Sequence, residues 1–128
     1  MIHVNFVIPC DTAFFAADSK LNIIGIFNKA AASETPVNLQ PFSLAIQMIE
    51  DGIEKDTPHK LKIFFQKDGV NKTPQAPEVD FQNSPNAITA IVNKVTGLSF
   101  DEFGTYKIIL FIDGKEINTS TEIEVIKQ

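Results

Sequence analysis

Cys10, His3 and His59 are the side chains with the strongest intrinsic chemistry in this sequence. A thiol nucleophile needs a base within hydrogen-bond reach and a further group that orients the base. A lone cysteine more often packs as a small apolar side chain, and we expect both imidazoles at the surface. A zinc site needs about four ligands, and no cluster here has suitable spacing. We therefore expect no catalytic residue, no metal site and no cofactor.

The acidic segment 50–56 offers the main alternative, because it places four carboxylates in one predicted loop. These are Glu50, Asp51, Glu54 and Asp56. Calcium prefers six to eight oxygen ligands, and loops at one end of a β-sandwich sometimes supply them. The spacing does not match an EF-hand, so an exposed, solvated loop is the simpler interpretation. A calcium-binding or small-ligand module remains the second hypothesis.

The charge pattern argues against several partners. The net charge is −5, and every basic residue is a lysine. Arginine supplies the bidentate contacts to phosphate and guanine, so we expect no nucleic-acid binding and no attraction to an anionic membrane. No apolar run approaches the roughly 20 residues that span a bilayer, and no signal peptide can be identified. With one cysteine, the chain cannot form an intrachain disulfide. We therefore expect a cytoplasmic protein, because the fold does not depend on an oxidising compartment.

Alternation of apolar and polar residues indicates β-strands throughout the chain. Its 128 residues fit one domain, 1–128. Four segments alternate with period two, and two others are apolar on both faces. A longer segment, 86–95, is a seventh strand, and 79–81 is a short eighth. The alternating segments are 2–8, 42–48, 61–65 and 123–125, and the doubly apolar ones are 21–27 and 106–112. Alternation places Phe6 and Ile8 in the core, and it places Ser43, Ala45 and Gln47 on the solvent side.

Turn signals suggest how these strands connect. Asp113-Gly114 is the strongest hairpin signal, and three prolines between residues 73 and 86 indicate a long loop or edge crossing. One short helix is predicted near residues 11–17, with Asp11 as its cap. About seven short strands and a Gly-x-Tyr corner at Gly104 predict an all-β, antiparallel, immunoglobulin-like sandwich of seven or eight strands.

The order of these motifs resembles a family of small bacterial β-sandwich proteins with no assigned function. The resemblance rests on Lys20-Leu21-Asn22-Ile23-Ile24-Gly25-Ile26-Phe27, on Phe103-Gly104-Thr105-Tyr106 and on Ile112-Asp113-Gly114. It covers the chain from Cys10 to about Val125. It implies the sandwich fold and no known catalytic residue, and it gives neither a substrate nor a partner.

The two doubly apolar strands suggest an interaction surface. In a two-layer sandwich the outer face of each sheet normally meets water, so a second apolar face needs a cover. The short helix, the proline-rich loop or another subunit could provide it. The predicted interface residues are Val7, Ile24, Ile26, Phe64, Ile109 and Phe111. We therefore expect a non-catalytic interaction or structural module that binds a protein partner or forms a homo-oligomer; the step from sandwich to this role is analogy at the level of fold.

Overall fold

The computed structural model describes residues 1–72, 78–117 and 119–128. These residues contain strands and turns but no helix, and hence none that could cross a membrane. The strands are β1 (Ile2–Phe15), β2 (Leu21–Ile26), β3 (Lys29–Ala32), β4 (Val37–Asn38), β5 (Phe42–Glu50), β6 (Thr57–Lys67), β7 (Val70–Lys72), β8 (Val79–Asn83), β9 (Ile88–Val95), β10 (Ser99–Phe100), β11 (Gly104–Ile112), β12 (Lys115–Ile117) and β13 (Glu122–Lys127).

The strands form two main sheets. The four-stranded sheet has the order β2-β1-β5-β9. The seven-stranded sheet has the order β3-β13-β11-β6-β7, with β12 beside β11 and β8 beside β6, and β4 pairs separately with β10. The all-β prediction is confirmed. The antiparallel prediction holds except for β3, which runs parallel to β13.

The prediction of seven or eight strands was too low. The additional strands are short: β3, β4, β7, β10 and β12 contain two to four residues each. A segment of that length is too short to show alternation in sequence. Residues 73–77, which belong to the predicted proline-rich loop, lie outside the described residues.

The hydrophobic core lies between the two sheets. On β5 the inward positions are Phe42, Leu44, Ile46 and Met48, and all four are buried. The facing strands β6 and β11 contribute Leu61, Ile63, Phe65, Tyr106, Ile108, Leu110 and Ile112. The rings of Phe42 and Phe65 meet edge to face across the interface, with centroids 6.2 Å apart. Burial of each such side chain contributes roughly 1.5–3 kcal/mol to stability.

The predicted short helix at residues 11–17 was wrong. Residues up to Phe15 continue β1 and pair antiparallel with β2. Thr12, Phe14 and Phe15 favour an extended backbone because β-branched and aromatic side chains fit a pleated strand. The strand ends in a turn in which Ser19 has a positive φ and its N–H donates to the carbonyl of Ala16.

A β-bulge in β1 changes which side chains reach the core. The pairing of β1 with β5 shifts between Val4 and Phe6. A bulge adds one residue to one strand, so the alternation of faces reverses beyond it. Val4 and Val7 therefore both face the core, whereas Phe6 and Ile8 face outward.

The predicted corner at Gly104 carries a specific hydrogen bond. The Tyr106 hydroxyl donates to the backbone carbonyl of Glu102 at 2.9 Å. The Tyr106 ring is buried against Phe100, with centroids 4.1 Å apart. Gly104 adopts φ 140°, a backbone conformation that favours glycine over residues with a Cβ.

Candidate functional site

One candidate site is a cluster of polar side chains that we call the histidine clamp: His59, Glu50 and Asn83, which are buried, and Asp113, which is half-exposed. Three strands supply its members, since β5 ends at Glu50, β6 carries His59 and β8 ends at Asn83. Asp113 lies in the turn between β11 and β12. Asp113 and Gly114 both have positive φ, as a two-residue hairpin turn requires.

The clamp contacts are short. His59 Nε2 lies 2.8 Å from Glu50 Oε1, and His59 Nδ1 lies 2.6 Å from Asp113 Oδ2. The Asn83 amide nitrogen donates to the same Glu50 oxygen at 3.2 Å. The second Asp113 oxygen accepts the backbone N–H of Lys60 at 2.9 Å. The prediction of a surface imidazole was wrong for His59, which is 8% exposed.

The neighbouring charges decide the ionisation of the clamp. Burial alone would lower the pKa of His59, but hydrogen bonds to Asp113 and Glu50 raise it overall. Burial would likewise raise the pKa of Glu50, but hydrogen bonds from His59 and Asn83 lower it overall. The hydrogen bond from His59 lowers the pKa of Asp113. These directions favour an imidazolium held between two carboxylates.

Both ring nitrogens of His59 are engaged within the clamp. A general base needs a nitrogen that can reach the substrate proton. Both ring nitrogens of His59 instead contact carboxylates. A cleft of about 570 Å³ opens beside them, and Phe81 lines it with its ring 5.3 Å from the imidazole. The clamp thus joins β5, β6, β8 and the β11–β12 turn.

The other predicted chemical residues lie apart from the clamp. Cys10 is fully buried, and its thiol contacts the Ser43 carbonyl at 3.5 Å. Burial, with a smaller contribution from the Asp11 charge, raises the pKa of Cys10, which disfavours the reactive thiolate. His3 is at the surface, as expected, and its Nε2 lies 3.0 Å from Asp51 Oδ2.

The predicted calcium ligands are not gathered into one site. Glu50 belongs to the clamp, and Asp51 contacts His3 and the N-terminal amine. Glu54 and Asp56 lie exposed in the loop between β5 and β6. Within residues 1–72, 78–117 and 119–128, no group of three or more His, Cys, Asp or Glu side chains could hold a metal ion.

The six predicted interface residues fall in three places. Val7 is in the core, because the bulge in β1 turns it inward. Phe64, Ile109 and Phe111 lie on the outside of the seven-stranded sheet, where the rings of Phe64 and Phe111 meet edge to face. Ile109 is only 5% exposed there, so this patch offers little apolar area. Ile24 and Ile26 lie on the four-stranded sheet.

The outside of the four-stranded sheet is the second candidate site, and we call it the outer face. Strand pairing places its residues on the side opposite the core. They are His3, Phe6, Ile8, Cys10, Thr12, Phe14, Asn22, Ile24, Ile26, Ser43, Ala45, Gln47, Ile49, Ile88, Ala90, Val92 and Lys94. Lys94 is the only lysine among them and none of them is acidic, although the Asp51 carboxylate contacts His3 at the border of this face.

Exposure of the outer face increases from its centre to its margins. At the centre Ala45 and Cys10 are buried between larger neighbours, and Phe6 and Ile8 are half-buried. At the margins Ile26 on β2 is 66% exposed and Ile88 on β9 is 62% exposed. An apolar surface that extends over four adjacent strands is unusual on a monomer, where exposed apolar patches rarely exceed a few hundred Å².

A hairpin continues the apolar surface beyond the sheet. Residues 11–25, which we call the arm, comprise the end of β1 and the start of β2, and these segments pair only with each other in the described part of the chain. The arm is apolar on both faces. Phe14 and Ile24 are exposed on one face and Phe15 on the other.

The sequence did not predict most of the outer face. Ser43, Ala45 and Gln47 were interpreted as the solvent side of their strand, and Phe6 was assigned to the core. The bulge that places Phe6 on the outer face has no distinct sequence signal other than Asn5, a residue that is uncommon in strands. Ile24 and Ile26, which the sequence proposed as interface residues on strand 21–27, are exposed.

Comparison with known proteins gives a family and no activity. Residues 5–126 match the model of a family of unknown function (DUF6941). No curated protein and no solved structure matches the chain.

Proposed function

The chain belongs to this family of unknown function, and we propose that it is a non-catalytic interaction module that binds a protein through the outer face. One observation carries the proposal. Ten of the 17 outer-face residues are isoleucine, phenylalanine, valine or alanine, and the polar ones include a single lysine. Burial of such a surface is favourable by roughly 25 cal/mol per Å² of apolar area. A monomer gains nothing from leaving it in water.

The clamp and the cysteine support a non-catalytic role. His59 uses both nitrogens within the clamp, so neither is available to a substrate. Cys10 is buried and has a raised pKa. A nucleophile in a protein is normally activated by an adjacent base or by a lowered pKa. The arrangement of these residues favours a structural role for both.

We also propose a protein partner, a cytoplasmic location and an immunoglobulin-like fold. The lack of arginine supports a protein partner over nucleic acid or an anionic membrane. The single cysteine is consistent with a cytoplasmic protein. The Tyr106 hydroxyl bond to the Glu102 carbonyl resembles the tyrosine corner of immunoglobulin-like sandwiches, so we propose that likeness as well.

The test is site-specific photocrosslinking in cells that naturally produce the protein. A photoreactive phenylalanine analogue replaces Ile26, and the matched control carries it at Val70. Both residues are exposed to a similar degree, 66% and 61%, but Val70 lies on β7 of the other sheet. We expect a discrete adduct from position 26 and none from position 70.

A second substitution makes the result specific to the outer face. Ile88→Asp changes the opposite margin of that face, on β9, and leaves the probe at position 26 intact. We expect it to abolish the adduct, because a buried carboxylate opposes association. Equal labelling at positions 26 and 70, or an adduct that survives Ile88→Asp, contradicts the proposal.

A further inference from the structure

Resting on the proposed function, we infer that the partner is a second copy of this chain, packed with its outer face against the outer face of the first around a two-fold axis. The arm of each copy then extends over the outer face of the other. Two-fold contacts are self-complementary, because the same patch is used on both subunits. Two sheets pack face to face at about 10 Å when their side chains interdigitate.

The charge distribution favours a second copy. Each chain carries a net charge of −5, so two copies repel through most of their surfaces. The outer-face residues include no carboxylate, and Lys94, at the margin, is their only lysine. Asp51 reaches the border of this face, where it contacts His3. Contact through this face therefore keeps most acidic residues of both copies in solvent. A partner of opposite charge would find no carboxylate to bind there.

The area of the face is sufficient for a dimer. Three strands (β1, β5 and β9) spaced about 4.8 Å apart, each about eight residues long at about 3.4 Å per residue, present roughly 400 Å². The two strands of the arm, each about five residues long, add roughly 160 Å² and carry Phe14 and Ile24. Two copies therefore bury about 1,100 Å² together, just above the lower limit of about 1,000 Å² for a specific interface.

The exposed apolar side chains of the arm also favour burial against another surface. A two-stranded hairpin is at best marginally stable in water by itself. Here Phe15 and Leu21 lie on one side of the arm, and Phe14 and Ile24 lie on the other. The arm projects about 17 Å if five residue pairs extend beyond the sheet. The outer face of a second copy supplies the apolar surface that the arm lacks.

The experiment is sedimentation equilibrium of the purified full chain from about 1 μM to about 300 μM. Three single variants accompany the wild type: Ile26→Lys, Ile88→Lys and Val70→Lys. We expect the wild type and Val70→Lys to form dimers with equal dissociation constants. The two outer-face variants should raise the dissociation constant by at least about tenfold, because each buries an ammonium group without a partner.

The variant pair also distinguishes face packing from edge pairing. Ile26 and Ile88 lie on β2 and β9, the two outermost strands of the sheet. If Ile26→Lys disrupts the dimer and Ile88→Lys does not, the copies pair through the edge of β2, and face-to-face packing is overturned. Equal weakening by Val70→Lys also overturns it. A wild type that stays monomeric throughout, while the in-cell crosslink at position 26 persists, overturns the second copy and leaves the proposed function intact.

Discussion

The histidine clamp buries charged side chains between the sheets, whereas the outer face leaves isoleucines in contact with solvent. Both regions include the same strand, β5, which ends at Glu50 in the clamp and carries Ala45 on the outer face. In the clamp His59 and Glu50 are each matched by a hydrogen-bonded partner. On the outer face Ile26 and Ile88 remain 66% and 62% exposed. We therefore expect the first region to act on folding and the second on association.

The largest effect is expected when the clamp loses its histidine. His59→Ala leaves the buried Glu50 carboxylate with only the Asn83 amide as a partner. Breaking a buried ion pair in this way typically costs about 3–5 kcal/mol. Urea denaturation should show that loss in the free energy of unfolding. His3→Ala is the matched control, because the exposed His3–Asp51 pair is screened by solvent and should contribute little to stability.

A loss below about 1 kcal/mol for His59→Ala would show that the clamp is not a strong contributor to stability. The conservative variant His59→Gln retains one donor for Glu50. It should recover part of the loss, since the buried carboxylate then keeps a hydrogen bond.

The second prediction is a pH dependence that the clamp imposes and the outer face does not. The pKa of His59 is raised above its ordinary value of 6.5 in the folded state. Its contribution to stability is therefore complete below pH 6.5 and is lost as the pH rises through the folded pKa. The pKa of Glu50 is lowered from 4.5, so its contribution is complete above pH 4.5 and is lost as the pH falls through the folded pKa.

The measurement is the unfolding free energy across this range. We expect the clamp contribution to be greatest between about pH 4.5 and about pH 6.5 and to decline on both sides. His59→Gln should remove the decline on the alkaline side. Ile26→Lys should leave the shape of the profile unchanged. An alkaline decline that persists in His59→Gln would assign the dependence to another group.

The third prediction concerns Asn93, a buried polar residue without hydrogen-bond partners of the kind that His59 and Glu50 have in the clamp. Asn93 is 2% exposed on the inward side of β9, and neither of its side-chain amide atoms has a hydrogen-bond partner among the residues described. An unsatisfied buried polar group costs about 1–3 kcal/mol. Asn93→Val should therefore stabilise the protein by about 1 kcal/mol, measured by thermal or urea denaturation. A loss of stability would show that an internal water satisfies the amide.

The sequence predicted the strand β5 and its buried side, but it did not predict the contacts of the clamp. Alternation over Phe42–Met48 predicted a strand and its buried side, because burial of one face imposes a period of two. The clamp was not predicted, since Glu50, His59 and Asp113 meet only through the pairing of distant strands. Sequence position gives no measure of such contacts. Glu50 looked like part of an acidic loop for this reason.

The sequence predicted only part of the outer face. Ile24 and Ile26 were recognised because their strand is apolar on both sides. The bulge before Phe6 reversed the predicted faces of β1, so Val7 was assigned to the surface and Ile8 to the core. A one-residue shift moves every following side chain to the opposite side of the sheet. Local pattern cannot detect it.

The smallest effect is expected when the outer face is made charged. Ile26 is 66% exposed, so Ile26→Lys should change the unfolding free energy of the monomer by less than about 0.5 kcal/mol. This value applies at about 1 μM protein, where the dimer dissociates. At high concentration the wild type should gain stability, because a partner that binds only the folded state stabilises it by mass action. Ile26→Lys should show no such gain, and Val70→Lys should match the wild type. If the variant were strongly destabilised at low concentration, the outer face would contribute to folding in the same way as the clamp, and the division between the two regions would fail.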